Sequence, residues 1–119
     1  MRFSVVLSLL FLLGGCMPNE QRLNHVVLVW FNDDVTPMQI EKVKAQSYAL
    51  KAIGELKYIQ AGSAIASERG IVDDSFDLGI LMQFENKEAM ERYVSDPRHK
   101  AFLEEHIKGK VKNLLVYDF

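Results

Sequence analysis

Tyr93 and His99 place a phenol and an imidazole six residues apart in the second half of the chain. An imidazole with a pKa of about 6.5 accepts a proton at neutral pH, and a phenol can donate a hydrogen bond to a developing oxyanion. Asp96 and Pro97 lie between them and predict that one helix ends and the next begins there, because the residue before a proline resists helical geometry and Asp is a good N-cap. The spacing therefore places a candidate acid and a candidate base on consecutive helices.

Each of these residues also has a purely structural interpretation. Tyr93 is consistent with a helix residue that packs on a sheet with its hydroxyl at the rim. His99 is consistent with an imidazole that caps or packs in the first turn of its helix. A third candidate, His25, opens the first predicted strand and would either line a cavity or satisfy a backbone group. The sequence alone leaves these alternatives open.

Two other clusters lack the spacing of a metal site. His99 and His106 share one face of the predicted helix but are two turns, or roughly 10 Å, apart, whereas ligands of one ion each lie about 2 Å from it. Asp73, Asp74 and Asp77 lack the turn glycine and bidentate Glu of a calcium loop. The sequence contains no glycine-rich phosphate loop, HExxH or GxSxG motif. It therefore predicts no metal and no cofactor.

The composition predicts one globular domain. The chain has 119 residues, of which 49% are hydrophobic, and its charged residues are interspersed. A domain usually needs about 100 to 200 residues, so only one core is expected. The formal net charge is −2, whereas nucleic-acid-binding domains usually carry clustered Lys and Arg. Nucleic acid is therefore not an expected partner.

The N-terminus has the pattern of a secretory signal. Arg2 precedes an apolar run at residues 3–13, and small residues and Cys16 follow it. As a helix, the run would span roughly 16 Å, about half the hydrocarbon thickness of a bilayer, so a permanent transmembrane helix fits less well.

The four residues Leu13-Gly14-Gly15-Cys16 resemble the lipobox of bacterial lipoproteins. The resemblance implies that residues 1–15 are a signal peptide, that Cys16 is acylated and that residues 16–24 form a tether, whose stretch 17–24 reaches at most about 26 Å. It also implies lipid anchoring in the cell envelope. Because Met17 is not Asp, the anchor would lie in the outer membrane facing the periplasm of a Gram-negative cell, or in the plasma membrane of a Gram-positive cell. The alternative is an ordinary secretory signal with an incidental cysteine.

The remaining chain, residues 25–119, has the periodicity of a mixed domain. Strands are predicted from alternating or continuous apolar residues, and helices from apolar residues at helical spacing behind caps. The predicted elements are a strand at 25–31, a helix of about 17 residues capped by Thr36 and ended by Gly54, strands at 57–65 and 76–84, helices from Asn86 and from Pro97 to about Lys108, and a strand at 111–118. This order predicts an α+β fold of the ferredoxin-like βαββαβ type with a four-stranded antiparallel sheet.

The first predicted strand is apolar on both faces, since His25, Val27 and Val29 alternate with Val26 and Leu28. Two helical segments can cover only one face of such a sheet, and a continuous apolar run is expected where both faces are buried. In a short chain, a second copy packed sheet to sheet would cover the other face. The sequence therefore predicts a homodimer.

From His25 to Phe119 the chain resembles the stress-responsive A/B barrel (Dabb) family. The matching features are His25 at the start of the first strand, Phe76-Asp77 and Phe84-Glu85 around the third, the 93–99 segment and the Val116-Tyr117-Asp118 ending. The resemblance implies a dimeric α/β barrel of the ferredoxin-like class. Most of the family has no established reaction, but its plant polyketide cyclases use a Tyr and a His, matching Tyr93 and His99, for an intramolecular aldol closure. Those cyclases carry a further His where this chain has Leu78.

Two functions are consistent with these features. The first is a lipid-anchored, homodimeric domain that binds a small apolar ligand or acts in a stress response. The alternative is a cofactor-independent cyclase or lyase-like enzyme for a small aromatic or polyketide-like substrate, in which His99 is the base, Tyr93 orients a carbonyl and His25 lies in the cavity wall. A third hypothesis is a haem-linked oxygenase, as among relatives of the same barrel fold.

The lipid anchor predicts the behaviour of one substitution. Cys16→Ser removes the thiol that accepts the diacylglycerol group. We therefore expect the variant to leave the membrane fraction or to accumulate as an uncleaved precursor, as measured by cell fractionation and metabolic lipid labelling. Lipid labelling equal to that of the wild-type protein would contradict the lipobox.

Overall fold

The computed structural model describes residues 21–119. The predicted signal peptide, Cys16 and the first part of the tether lie outside these residues. Within residues 21–119, every helix is too short or too polar to cross a membrane.

The chain folds in the predicted order of strands and helices. The elements are β1 (Leu23–Phe31), α1 (Pro37–Ser47), β2 (Tyr58–Gly62), β3 (Leu78–Phe84), α2 (Lys87–Ser95), α3 (Pro97–Phe102) and β4 (Val111–Asp118). A 3₁₀ turn, Tyr48–Ala52, continues α1, and a π-helical turn, Leu103–Ile107, continues α3. Together these elements form the ferredoxin-like βαββαβ fold.

The sheet is antiparallel, in the order β2-β3-β1-β4. β1 is therefore a central strand, and β4 is an edge strand that is paired only with β1. The register aligns His25 with Met82 on one side and with Asp118 on the other. Three residues that are far apart in sequence thus form one row across the end of the sheet where β1 begins.

Local sequence signals begin each helix where they were predicted. Thr36 and Gln39 form a capping box: the Gln39 N–H donates to the Thr36 hydroxyl, and the Thr36 N–H donates to the Gln39 side-chain carbonyl. Asn86 accepts a hydrogen bond from the Ala89 N–H at 2.9 Å. Asp96 accepts one from the Arg98 N–H at 2.8 Å, so the predicted break between two helices is present.

The helices cover one face of the sheet, and this face forms the core. Alternate residues of β1 and β3 are buried there against apolar side chains from the helical segments. The most completely buried large side chains are Tyr93, Phe31, Phe84, Ile53, Leu78 and Val29. The alternation predicted for the third strand is therefore present from Leu78 onward.

Phe76 departs from that prediction. Regular alternation over the predicted strand 76–84 would place Phe76 on the face of Leu78, but the strand begins only at Leu78, and Phe76 packs edge-on against Trp30, with ring centroids 6.5 Å apart. The reason is Asp77, whose N–H donates to the Val29 carbonyl and whose carboxylate accepts from the Phe31 N–H at 2.7 Å. These bonds replace regular strand pairing and turn Phe76 to the opposite face.

That opposite face, here called the outer sheet face, carries apolar side chains from three strands. Its main residues are Val26, Leu28, Trp30, Leu81, Leu115 and Tyr117, which follow from the strand register. Leu115 and Tyr117 are 40% and 54% exposed. A contiguous apolar patch of this kind is typical of an interaction surface.

Candidate functional site

An apolar cavity lies between the helical face of β1 and β4 and the segment formed by α3 and the π turn. Its volume is about 440 Å³, within the usual range for small-molecule sites. The residues that line this β4 cavity are His25, Val27, Val94, His99, Leu103, Glu104, Ile107, Lys108, Leu114 and Val116. A narrow extension of about 50 Å³ continues toward the core past Tyr93, Met82 and Phe102.

The π turn shapes the helical wall of the cavity. The Lys108 N–H donates to the Leu103 carbonyl, five residues earlier, at 2.8 Å, which widens the turn. Leu103 and Ile107 face the cavity together with His99. His106 instead stacks on Phe102 on the side facing α1, with ring centroids 5.1 Å apart. The expectation that His99 and His106 share one helical face was therefore wrong, because it assumed regular α-helical geometry.

His25 lies in the cavity wall and is bonded to the last residue of β4. Its Nδ1 is 2.5 Å from Asp118 Oδ1, and its ring packs edge-on against Phe84. An ionised carboxylate only accepts hydrogen bonds, so Nδ1 carries a proton, and in the neutral tautomer the lone pair lies on Nε2. Asp118 was not among the residues predicted to form the site. The available signal was the position of His25 at the start of one strand and of Asp118 at the end of another.

Tyr93 is fully buried between the cavity extension and the core. Its hydroxyl is 3.3 Å from Met82 Sδ, and its ring contacts those of Phe84 and His99, with centroids 4.9 and 4.7 Å away. Burial raises the pKa of the phenol well above its ordinary value, so the group stays neutral. A thioether is a weak acceptor, so a ligand oxygen would be a better partner for this hydroxyl.

His99 is half-buried beside Tyr93. Its Nδ1 is 3.1 Å from the Val94 carbonyl, which only accepts, so the ring donates from Nδ1 and again keeps its lone pair on Nε2. Burial lowers the pKa of His99, and nearby His25 lowers it further, against the opposing effects of the Val94 carbonyl and Asp96. The ring is therefore neutral at pH 7.

The structure thus brings all three predicted residues to one cavity. The imidazoles of His25 and His99 each have Nδ1 held by an acceptor, so Nε2 is the basic position of the neutral tautomer in both. A neutral phenol lies beside them. This set can remove a proton from a carbon acid and donate a hydrogen bond to an oxyanion. Leu78, where cyclases of the resembled family carry a further His, is buried in the core and is not among the residues lining the cavity.

The acidic loop is held together by its own hydrogen bonds. Asp73 accepts from the Ser75 N–H and hydroxyl, Asp74 accepts from the Ser67 N–H, and Asp77 accepts from the Phe31 N–H. Across residues 21–119, His, Cys, Asp and Glu side chains nowhere gather in threes in a way that could hold a metal ion.

The lowered pKa of His99 predicts a pH dependence of stability. Below the ordinary value of 6.5, the unfolded chain binds a proton that the folded protein resists, so the free energy of unfolding should fall as the pH drops through the window between 6.5 and the folded pKa. Urea unfolding of residues 17–119 between pH 7 and pH 5 measures this loss, which His99→Asn should reduce and His106→Asn should leave in place. An NMR titration that places the His99 pKa at or above 6.5 would contradict it.

Several solved structures share this fold. A protein from Arabidopsis thaliana is 26% identical, with 82% of this chain and 92% of that chain covered and a TM-score of 0.70. A dimeric ferredoxin-like protein of unknown function from Thermobifida fusca is 24% identical, with 88% and 95% covered and a TM-score of 0.69. A hydroxynitrile lyase from Passiflora edulis is 17% identical, with 84% and 93% covered and a TM-score of 0.74. At these identities, the lyase and the Thermobifida protein show the fold alone.

No curated protein matches the sequence. The model of the Stress responsive A/B Barrel Domain family matches residues 23–119, which include all seven strands and helices and the whole cavity wall. The chain therefore belongs to the stress-responsive A/B barrel (Dabb) family.

Proposed function

We propose that this protein is a lipid-anchored, homodimeric domain that binds a small apolar molecule in the β4 cavity. The cavity itself carries the proposal, because it combines apolar walls with a few convergent polar groups, as small-molecule sites do. The anchor rests on the sequence around Cys16. A place in a stress response would be consistent with the name of the family.

The homodimer is supported by the outer sheet face. Its apolar residues lie on three adjacent strands, and a second copy related by a two-fold axis would cover them with the same surface. The Thermobifida fusca neighbour is described as dimeric. The β4 cavity lies on the other side of the sheet, so dimerisation leaves it accessible.

Substitutions at two neighbouring residues of β4 test the dimer and the cavity independently. Leu114 and Leu115 are 39% and 40% exposed, but Leu114 lines the cavity whereas Leu115 lies on the outer sheet face opposite Leu28. An Asp at either position places a charge in an apolar contact, which is costly. We expect Leu115→Asp to be monomeric and to keep its ligand, and Leu114→Asp to stay dimeric and to lose its ligand.

Sedimentation of residues 17–119 measures the first property, and untargeted mass spectrometry of small molecules that co-purify with each variant measures the second. The wild-type protein should have twice the monomer mass and carry an apolar compound. A monomeric wild-type protein would contradict the dimer. A ligand lost equally from both variants, or found on none of the proteins, would contradict binding in the β4 cavity.

A second function, a cofactor-independent acid–base enzyme, is favoured by the two oriented imidazoles. In this mechanism His99 Nε2 removes a proton from the carbon next to a carbonyl, and the resulting enolate attacks a second carbonyl of the same molecule. The Tyr93 phenol donates to the oxyanion that forms, and the proton held by His99 returns to that oxygen. His25, held by Asp118 through Nδ1, forms the cavity wall beside the reacting carbonyls. The reverse sequence cleaves a carbon–carbon bond, as a lyase does.

The enzyme hypothesis predicts two substitutions that lower the reaction rate but leave substrate binding almost unchanged. With linear aromatic or polyketide-like diketones as substrates, we expect ring closure that falls about 10²- to 10⁴-fold in His99→Asn, which loses the base, and in Tyr93→Phe, which loses the donor to the oxyanion. Liquid chromatography of the products gives the rate, and calorimetry gives substrate binding, which should change little. Closure at the wild-type rate in both variants would remove this hypothesis and leave the binding function untouched.

A further inference from the structure

We propose that the β4 cavity opens toward the bilayer and takes up a neutral, membrane-partitioning amphiphile directly from the lipid phase. This inference rests on the proposed anchor and on the proposed binding function, and it adds the orientation of the site and the chemical class of its ligand.

The tether enters the fold beside the cavity. β1 begins at Leu23, and Asn24 is joined to Phe119 by two backbone hydrogen bonds of 2.6 and 3.0 Å. The next residue, His25, is already in the cavity wall. His25 is the ninth residue after Cys16, so an acylated Cys16 would hold the cavity within about 30 Å of the membrane surface.

Exposed apolar side chains lie at this same end of the sheet. We define the tether-end rim as Val94, Val116 and Phe119, which are 42%, 43% and 69% exposed. Val94 and Val116 also line the cavity. Apolar side chains beside a lipid anchor gain free energy by entering the interface of the bilayer.

The opposite end of the sheet combines an ion pair with a loop that also exposes apolar residues, so the orientation rests on the tether and on the rim that lines the cavity. Asp33 and Lys112 form an ion pair of 2.7 Å there, next to the end of β1. The loop after β2 also lies at that end, because Trp30 donates to Ser75 and the Gly62–Gly79 pair ends β2. This loop carries Ile65, which is 86% exposed, so each end of the sheet has an exposed apolar residue that a tryptophan reporter can replace.

The charged groups around the cavity favour a neutral ligand. Asp118 holds Nδ1 of His25 and would repel an anionic head group, and the Glu104–Lys108 pair, at 2.9 Å, is neutral as a whole. The imidazole Nε2 lone pairs suit a hydroxyl group, which can donate to them, and the Tyr93 phenol suits a carbonyl oxygen, which accepts. A molecule with such a head and a hydrocarbon body concentrates in a bilayer, which makes the bilayer its reservoir.

The orientation can be measured with single tryptophans. In a Trp30→Phe background, Phe119→Trp places the reporter at the tether-end rim and Ile65→Trp places it at the opposite end. The full acylated protein is reconstituted in phosphatidylcholine vesicles with brominated acyl chains, which quench nearby tryptophan. We expect strong quenching at position 119 and almost none at position 65. Equal quenching at both positions, or quenching at position 65 alone, would overturn the orientation.

The ligand class and its route are tested with photoreactive probes in the same vesicles. A diazirine derivative of 2-tridecanone is compared with the matching tridecanoate, and labelling of peptides from residues 94–116 is counted by mass spectrometry. We expect the ketone to label the anchored protein about tenfold more than it labels Cys16→Ser at equal total concentration, because tethering raises the local concentration. Leu114→Asp, which keeps the anchor, should lose the label.

The outcomes distinguish the ligand class and its uptake from the bilayer from the proposed anchor and binding function. Equal labelling by the carboxylate would overturn the neutral head group, and equal labelling of Cys16→Ser that has left the vesicles would overturn uptake from the bilayer. A Cys16→Ser protein that stays on the vesicles would instead contradict the lipid anchor. An unlabelled cavity with both probes, in a protein that is anchored with its tether-end rim in the lipid, would contradict the ligand class alone.

Discussion

The antiparallel pairing of β1 with β4 determines where the candidate functional groups lie. It brings Asp118 to His25, and so fixes the tautomer of an imidazole in the cavity wall. It also places Leu114 and Val116 opposite the helical segment as the second wall. Because β4 has no neighbour on its other side within the described chain, this single ladder holds both the wall and the acidic partner in place.

The parts of the structure that depend on local chemistry were predictable. Thr36, Asn86 and Asp96 cap helices because their side chains satisfy the first free N–H groups, which is a property of a few neighbouring residues. The alternation of buried apolar residues from Leu78 onward likewise predicts β3 and its buried face, because it too is a property of neighbouring residues. The order of these elements was then enough to predict the fold.

The parts that depend on distant contacts were not predictable. The His25–Asp118 bond joins residues 93 positions apart and needs the register of two strands that only the folded sheet defines. The turn of Phe76 to the outer sheet face follows from the bonds between Asp77 and β1, which period-two reasoning cannot include. The π turn likewise requires an extra residue to be accommodated against the sheet, and no local signal in residues 103–107 indicates it.

The position of the cavity wall on an edge strand has a consequence for how such proteins diverge. A strand that is hydrogen-bonded along one edge only moves more cheaply than a central strand, and its half-exposed side chains can change size without overpacking the core. Substitutions at Leu114 and Val116 would therefore alter the length and width of the cavity, while His25, Tyr93 and His99 and their partners stay in place. A lineage could then acquire new ligands through two surface positions at little cost in folding stability, which offers a physical reason for one fold to serve chemically different members.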